Sequence, residues 1–116
     1  MNKIFYLSTC DTCKRIIDEL DLKKKGFEFQ DIKTEKITTS QLEELKKKTG
    51  SYEALFSKIA RKYKEMKLNE KKLTEEEMKK LILEEYTFLK RPVILVKDKI
   101  FVGNSKSTIG EAKKVI

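Results

Sequence analysis

Between residues 3 and 32 the hydrophobic period changes twice, and nothing else in the chain limits its possible folds so strongly. KIFYL (3–7) is a short aromatic and β-branched run, the composition of a buried strand. From Asp11 the residues Ile16, Ile17 and Leu20 recur at helical spacing, and Gly26 is expected to end that helix after a lysine run. FEFQDI (27–32) then alternates apolar with polar, which marks a second strand. Strand, helix and strand in so short a span imply a right-handed crossover between parallel strands.

The middle of the chain reads as helical. Thr38 with Gln41 forms a capping-box pattern ahead of Leu42 and Leu45, and Gly50 closes that helix. Ser51 is expected to cap a further helix carrying Leu55, Phe56, Ile59 and Tyr63. Thr74 with Glu77 is a second capping box, ahead of Met78, Leu81 and Ile82. The period then returns to that of strands. PVILV (92–96) is nearly pure apolar, KDK makes a tight turn, and IFVG (100–103) returns as a hairpin. Ser105 can cap a last helix bearing Ile109, Ala112 and Val115. The expected order is β-α-β, three helices, β-β-α, an α/β domain with a mixed sheet and a helical insertion.

At 116 residues the chain is long enough for one modest core. Its formal net charge is +8, but the lysines are mixed with glutamates along the helices, as in LEELKKK. Such mixing reads as solvated helix faces rather than a nucleic-acid surface, and no basic stretch is interleaved with aromatics. The surplus still concentrates small anions around the protein. No apolar run approaches the ~20 residues of a membrane span, and MNKIFYLSTC lacks the pattern of a secretory signal. A cytoplasmic location is therefore expected, where thiols are held reduced.

That expectation bears on Cys10 and Cys13, the chain's two cysteines. They fall where the first strand gives way to the first helix, and a spacing of three puts both sulfurs on one side of the first turn. Exposed amides and the positive helix end favour a thiolate on Cys10, with Lys14 and Arg15 adding charge nearby. The chemistry that follows is attack by Cys10 and resolution by Cys13. A closed zinc site needs four ligands, and the chain has no histidine; only a dimer could share one. Two buried, inert thiols are the other alternative. A CxxC opening the helix of a β-α-β unit favours the redox reading.

Four blocks together carry a family resemblance: STCDTCKR, YEALFSKIARKYKEMKL, KLTEEEMKKLILEEYTFLKRPVIL and IFVGNSKSTIGEA. With them the chain resembles the arsenate reductase (ArsC)/Spx family over nearly its whole length. The resemblance implies a thioredoxin-like fold with a helical insert: one domain over 1–116, a β-α-β half at 3–32, the insert at 38–86 and a β-β-α half at 91–116. It further implies that Cys10 is the nucleophile, that Pro92 takes a cis peptide bond beside it, and that Arg91 helps hold an oxyanion through its forked donors.

Two departures from the reductase pattern shape the expected activity. Reductases of this family typically carry one cysteine in the loop and use glutathione with glutaredoxin, whereas Cys13 here matches Spx-type regulators. Of the other two oxyanion arginines, one position matches Ser57, with Lys58 beside it and Arg61 a turn further on. The other falls near Gly103 and Asn104. A site with Arg91 supplemented by lysine suits a tetrahedral dianion poorly. The expected function is a thiol-disulfide oxidoreductase acting on a small anionic substrate or glutathione, with no bound cofactor and with glutathione/glutaredoxin or thioredoxin as electron donor. The alternative is an Spx-like redox sensor that binds the RNA polymerase α-subunit, for which Gly50 matches a contact glycine; a helix stop explains that glycine equally well.

Overall fold

The computed structural model describes residues 2–116. The chain divides into two compact units, residues 2–35 with 91–116, and residues 36–90.

The first unit is a four-stranded mixed sheet in the order β2-β1-β3-β4. Strand β1 (Lys3–Tyr6) pairs in parallel with β2 (Glu28–Asp31), Lys3 opposite Glu28 and Tyr6 opposite Asp31. Its other edge pairs antiparallel with β3 (Val93–Val96), which turns at Lys97 into β4 (Lys99–Val102). Strand β3 is apolar throughout and β1 is apolar at Ile4 and Phe5, because both faces are buried there. Alternation sends Ile4, Ile94 and Val96 into a core with Ile16, Ile17 and Leu20 of helix α1 (Asp11–Leu20) and with Ile109 and Ala112 of the C-terminal helix (Lys106–Val115). Phe5, Val93 and Leu95 point to the opposite face and are also buried.

Helix α1 stops earlier than its sequence suggests. Asp21, not Gly26, adopts the left-handed conformation that ends it (φ 56°, ψ 41°). The Asp21 N–H donates to the Asp18 carbonyl and the Leu22 N–H to the Ile17 carbonyl, while Leu22 folds back into the core beside Ile17. This is a Schellman ending with its hydrophobic contact. Aspartate tolerates the conformation better than most side chains, and burial of Leu22 outweighs the helix preference of the lysines after it.

The second unit contains α2 (Thr39–Thr49), α3 (Arg61–Glu65) and α4 (Glu75–Glu84), linked by single 3-10 turns. Both capping boxes form, at Thr38 with Gln41 and at Thr74 with Glu77. Gly50 ends α2 at φ 95°, its N–H donating to the Lys46 carbonyl at 2.7 Å. The helix expected after Ser51 is different in kind. The Ser51 hydroxyl does accept the Ala54 N–H, but only the 3-10 turn Glu53–Leu55 follows. Phe56 then turns extended and bridges to Leu89, with Ser57 N–H donating to the Phe88 carbonyl and Lys90 N–H to the Leu55 carbonyl. Phe56 stacks on Phe88 at 5.2 Å between centroids. Tertiary pairing and this stack satisfy the backbone in place of a helix, and Ile59, expected on a buried face, is 94% exposed. The last helix, α5 (Lys106–Val115), starts as expected, the Ser105 hydroxyl accepting the Thr108 N–H.

Candidate active site

The site begins where β1 ends. A turn closed by the Cys10 N–H on the Leu7 carbonyl, at 3.0 Å, delivers Cys10 to the N-cap of α1 in extended conformation. The first helical bond runs from the Lys14 N–H to the Cys10 carbonyl. The next amides of the helix have no carbonyl partner of their own. Cys10 is half-buried, Cys13 is fully buried, and both are free thiols.

The two sulfurs face different surroundings. Partial burial pushes the Cys10 thiol up, but this is outweighed by the amide of Cys13, the Cys13 thiol, the Arg91 guanidinium and the amide of Thr12, which together hold it below its ordinary value. Burial pushes the Cys13 thiol up to about 11, assisted by its hydrogen bond and charge interaction with Cys10; the Leu7 N–H and Arg91 pull the other way. A polarised helix end and a nearby cation stabilise a thiolate, while an apolar interior opposes one. The first cysteine is thus set to ionise and the second to stay protonated, with the two side chains in mutual hydrogen-bonding range.

Arg91 arrives through strand pairing. Phe5 pairs with Val93, two residues after Arg91, and the Arg91 guanidinium acts on both the Cys10 and Cys13 thiols. The Arg91–Pro92 peptide is cis, as the family resemblance implies. Pro92 is buried, and its carbonyl accepts the Gly103 N–H at 2.9 Å. The arginine is half-buried, with its Nε shielded from solvent.

The remaining expected site residues are placed less centrally. Lys14 and Arg15 are exposed on α1, and Lys14 lines a hollow of about 300 Å3 with Tyr6, Ser8, Asp18 and Phe29. Lys58 and Arg61 belong to the helical unit, where both are exposed and Lys58 pairs with Glu53 at 3.5 Å. Ser57, in the same unit, is buried. Gly103 is in left-handed conformation at the hairpin end, followed by exposed Asn104. The Thr12 amide is one of the helix-start donors expected from the sequence, whereas the Leu7 amide was missed, since a backbone donor outside the helix leaves no mark in residue type. Ser8 and Asp31, which hydrogen-bond to one another, were missed as well.

Among the described residues no group of three or more acidic, cysteine or histidine side chains could hold a metal ion, and no helix is long and apolar enough to cross a membrane. No curated protein matches the sequence. Among solved structures, the arsenate reductase from Vibrio cholerae superimposes with a TM-score of 0.79 at 13% identity, over 99% of this chain and 97% of that one. An arsenate reductase (ArsC) related protein from Brucella melitensis gives 0.71 at 22%, over 99% and 95%. A protein from Staphylococcus aureus COL gives 0.74 at 28%, over 96% and 97%. These similarities establish the thioredoxin-like fold. The ArsC family model matches residues 5–112, nearly the whole chain, and the protein therefore belongs to the ArsC family.

Proposed function

We propose that this ArsC-family protein is a thiol-disulfide oxidoreductase in which Cys10 attacks and Cys13 resolves. One observation carries the reading: the half-buried Cys10 sulfur is drawn below its ordinary pKa by helix amides, the Cys13 thiol and Arg91 despite the opposing effect of burial. In the first step the Cys10 thiolate attacks one sulfur of a disulfide RSSR. The S–S bond breaks, a Cys10–S–S–R adduct forms, and RS⁻ leaves with the bonding pair. Cys13 then loses its proton to solvent and attacks the Cys10 sulfur, which forms the internal disulfide and expels the second RS⁻. Two equivalents of a thiol donor, supplied by glutathione with glutaredoxin or by thioredoxin, restore the dithiol.

The protonation states suit this order. While Cys10 is a thiolate, its negative charge helps to keep Cys13 neutral. Capping Cys10 as an adduct removes that charge, so the resolving thiol ionises more readily once it is needed. Glutathione-type disulfides fit a soft nucleophile beside one arginine better than the tetrahedral arsenate dianion does. We expect measurable reduction of a glutathione mixed disulfide and weak reduction of arsenate. The test is Cys10 alkylation against pH, together with turnover of both substrates in the presence of each donor system. A Cys10 that alkylates no faster than free cysteine at pH 7 would remove the basis of the proposal.

The same dithiol suits an oxidant-sensing regulator as well as a catalyst. Pull-down with the RNA polymerase α-subunit, in oxidised and reduced states, separates the two uses. Redox-dependent capture without turnover would assign the pair to regulation in the cytoplasm.

A further inference from the structure

Asp31 closes β2, and its side chain reaches the loop that leads into the CxxC motif. Its Oδ1 accepts the Lys33 N–H at 3.1 Å, a local Asx turn, and the Ser8 N–H at 3.3 Å, a bond that spans 23 residues. The Ser8 hydroxyl also donates to this carboxylate. The significance lies in what the adjoining residue does. The Ser8 N–H and the Leu7 carbonyl belong to one planar peptide unit. Asp31 holds the first of these groups, and the second accepts the Cys10 N–H. The Leu7 N–H, which helps lower the Cys13 thiol, lies in the preceding peptide, whose Tyr6 carbonyl accepts the Ile32 N–H at 2.9 Å.

We propose that Asp31 is a positioning residue for the resolving step: by holding the Ser8 N–H it fixes the peptide whose carbonyl seats the Cys10 N–H, and with it the Cys10 sulfur that Cys13 attacks. The inference rests on the reading of Cys13 as the resolving thiol. In that step the Cys13 thiolate attacks the Cys10 sulfur of the adduct; the Cys10–Cys13 bond forms, the Cys10–SR bond breaks, and the departing thiolate takes a proton from solvent. When the Leu7–Ser8 peptide loses its anchor, the Cys10 sulfur drifts from the line of attack by Cys13, and the intramolecular step slows.

Position and charge make opposite predictions, which makes the proposal testable. A nearby carboxylate disfavours a thiolate, so loss of its charge alone speeds ionisation, whereas loss of its hydrogen bonds slows resolution. The variants are D31N, which keeps the accepting oxygen and loses the charge; D31E, which keeps the charge and displaces the oxygen; and D31A, which loses both. Each is mixed with a limiting amount of the aromatic disulfide 5,5′-dithiobis(2-nitrobenzoate), and release of the coloured thiolate is followed from pH 6 to pH 10. The first equivalent reports attack by Cys10. The second, whose rate is independent of protein concentration, reports resolution by Cys13. We expect D31E and D31A to slow the second phase about fivefold or more, the loss of alignment in an intramolecular attack, at every pH tested. D31N should stay within about twofold of the native protein. A native-like second phase in D31E, or a D31N as slow as D31E, overturns the proposal. If D31A does not fold, D31E and D31N still decide it. A native protein that never releases the second equivalent overturns the resolving role itself, whereas slow release of the first equivalent points to Cys10 activation, so the two readings fail separately.

Discussion

The N-terminus of α1 and the N-termini of α2 and α4 solve the same problem differently. Each helix start leaves amides without carbonyl partners. At α2 the Thr38 hydroxyl accepts the Gln41 N–H at 3.0 Å, and the Gln41 side chain returns to the Thr38 N–H at 3.0 Å. At α4, Thr74 and Glu77 repeat the exchange at 3.2 and 3.0 Å. At α1 the capping position holds Cys10, whose side chain makes no capping hydrogen bond of that kind. A neutral sulfur is a weak acceptor; an ionised one is not. Two helices thus spend their first-turn amides on stability, and on the proposed function the third leaves them to a thiolate. On that reading, the departure from capping chemistry points to Cys10 more sharply than the spacing of the cysteines does, since local rules are broken where function requires it.

The contrast can be broken first at Cys10. C10S should lose disulfide turnover by on the order of 10³-fold or more, while serine supplies the missing cap and raises stability by about 0.5–1 kcal/mol. Steady-state assay and urea unfolding of the same sample check both; turnover that survives would mean that the helix start is not reserved for chemistry.

Cys13 offers a second test through pH. Its folded-state pKa of about 11 lies above the ordinary 9.0, so the unfolded chain releases this proton first as pH rises. The native state therefore loses stability between about pH 9 and pH 11 on this account, by up to about 3 kcal/mol. Unfolding of reduced C13A across the same range should show a shallower decline than native protein. Equal slopes would show that burial does not hold this thiol neutral.

A smaller effect is expected at Arg91, whose charge favours both thiolates. R91M should slow Cys10 alkylation near pH 6 by about three- to tenfold, and high salt should narrow that difference. The smallest effects belong to the ordinary caps. T38A and T74A should each cost about 1 kcal/mol by urea unfolding and leave the Cys10 pH profile in place. A shifted profile would show that these helix starts and that of α1 are not independent.

Much of the fold was legible because it depends on local period and local capping. The alternation in FEFQDI, the apolar run PVILV and the two Thr-x-x-Gln/Glu boxes each state their structure within a few residues. The misreadings at Gly26 and at Ser51 to Tyr63 arose where distant partners prevailed. Leu22 ends α1 early by entering the core, and the pairing of Phe56 with Leu89 and its stack on Phe88 draw the chain out of a helix. The place of Cys10 at a helix entrance was legible from the strand-to-helix change of period. The help of the first-turn amides of Thr12 and Cys13 followed from that placement, whereas the opposing effect of burial, the largest single influence on the Cys10 sulfur, did not.

By itself the sequence determined the order of elements, the starts of α2, α4 and α5, and the presence of two thiols on one first turn, because these follow from spacing along the chain. The helix start already pointed to Cys10 as the thiolate, and folding then shifted the two thiols in opposite directions. Those shifts depend on the burial of Cys13 and on the Arg91 guanidinium, which acts on both sulfurs. A thiol's pKa responds to the solvent, dipoles and charges packed around it, and these are assembled from residues far apart in the chain.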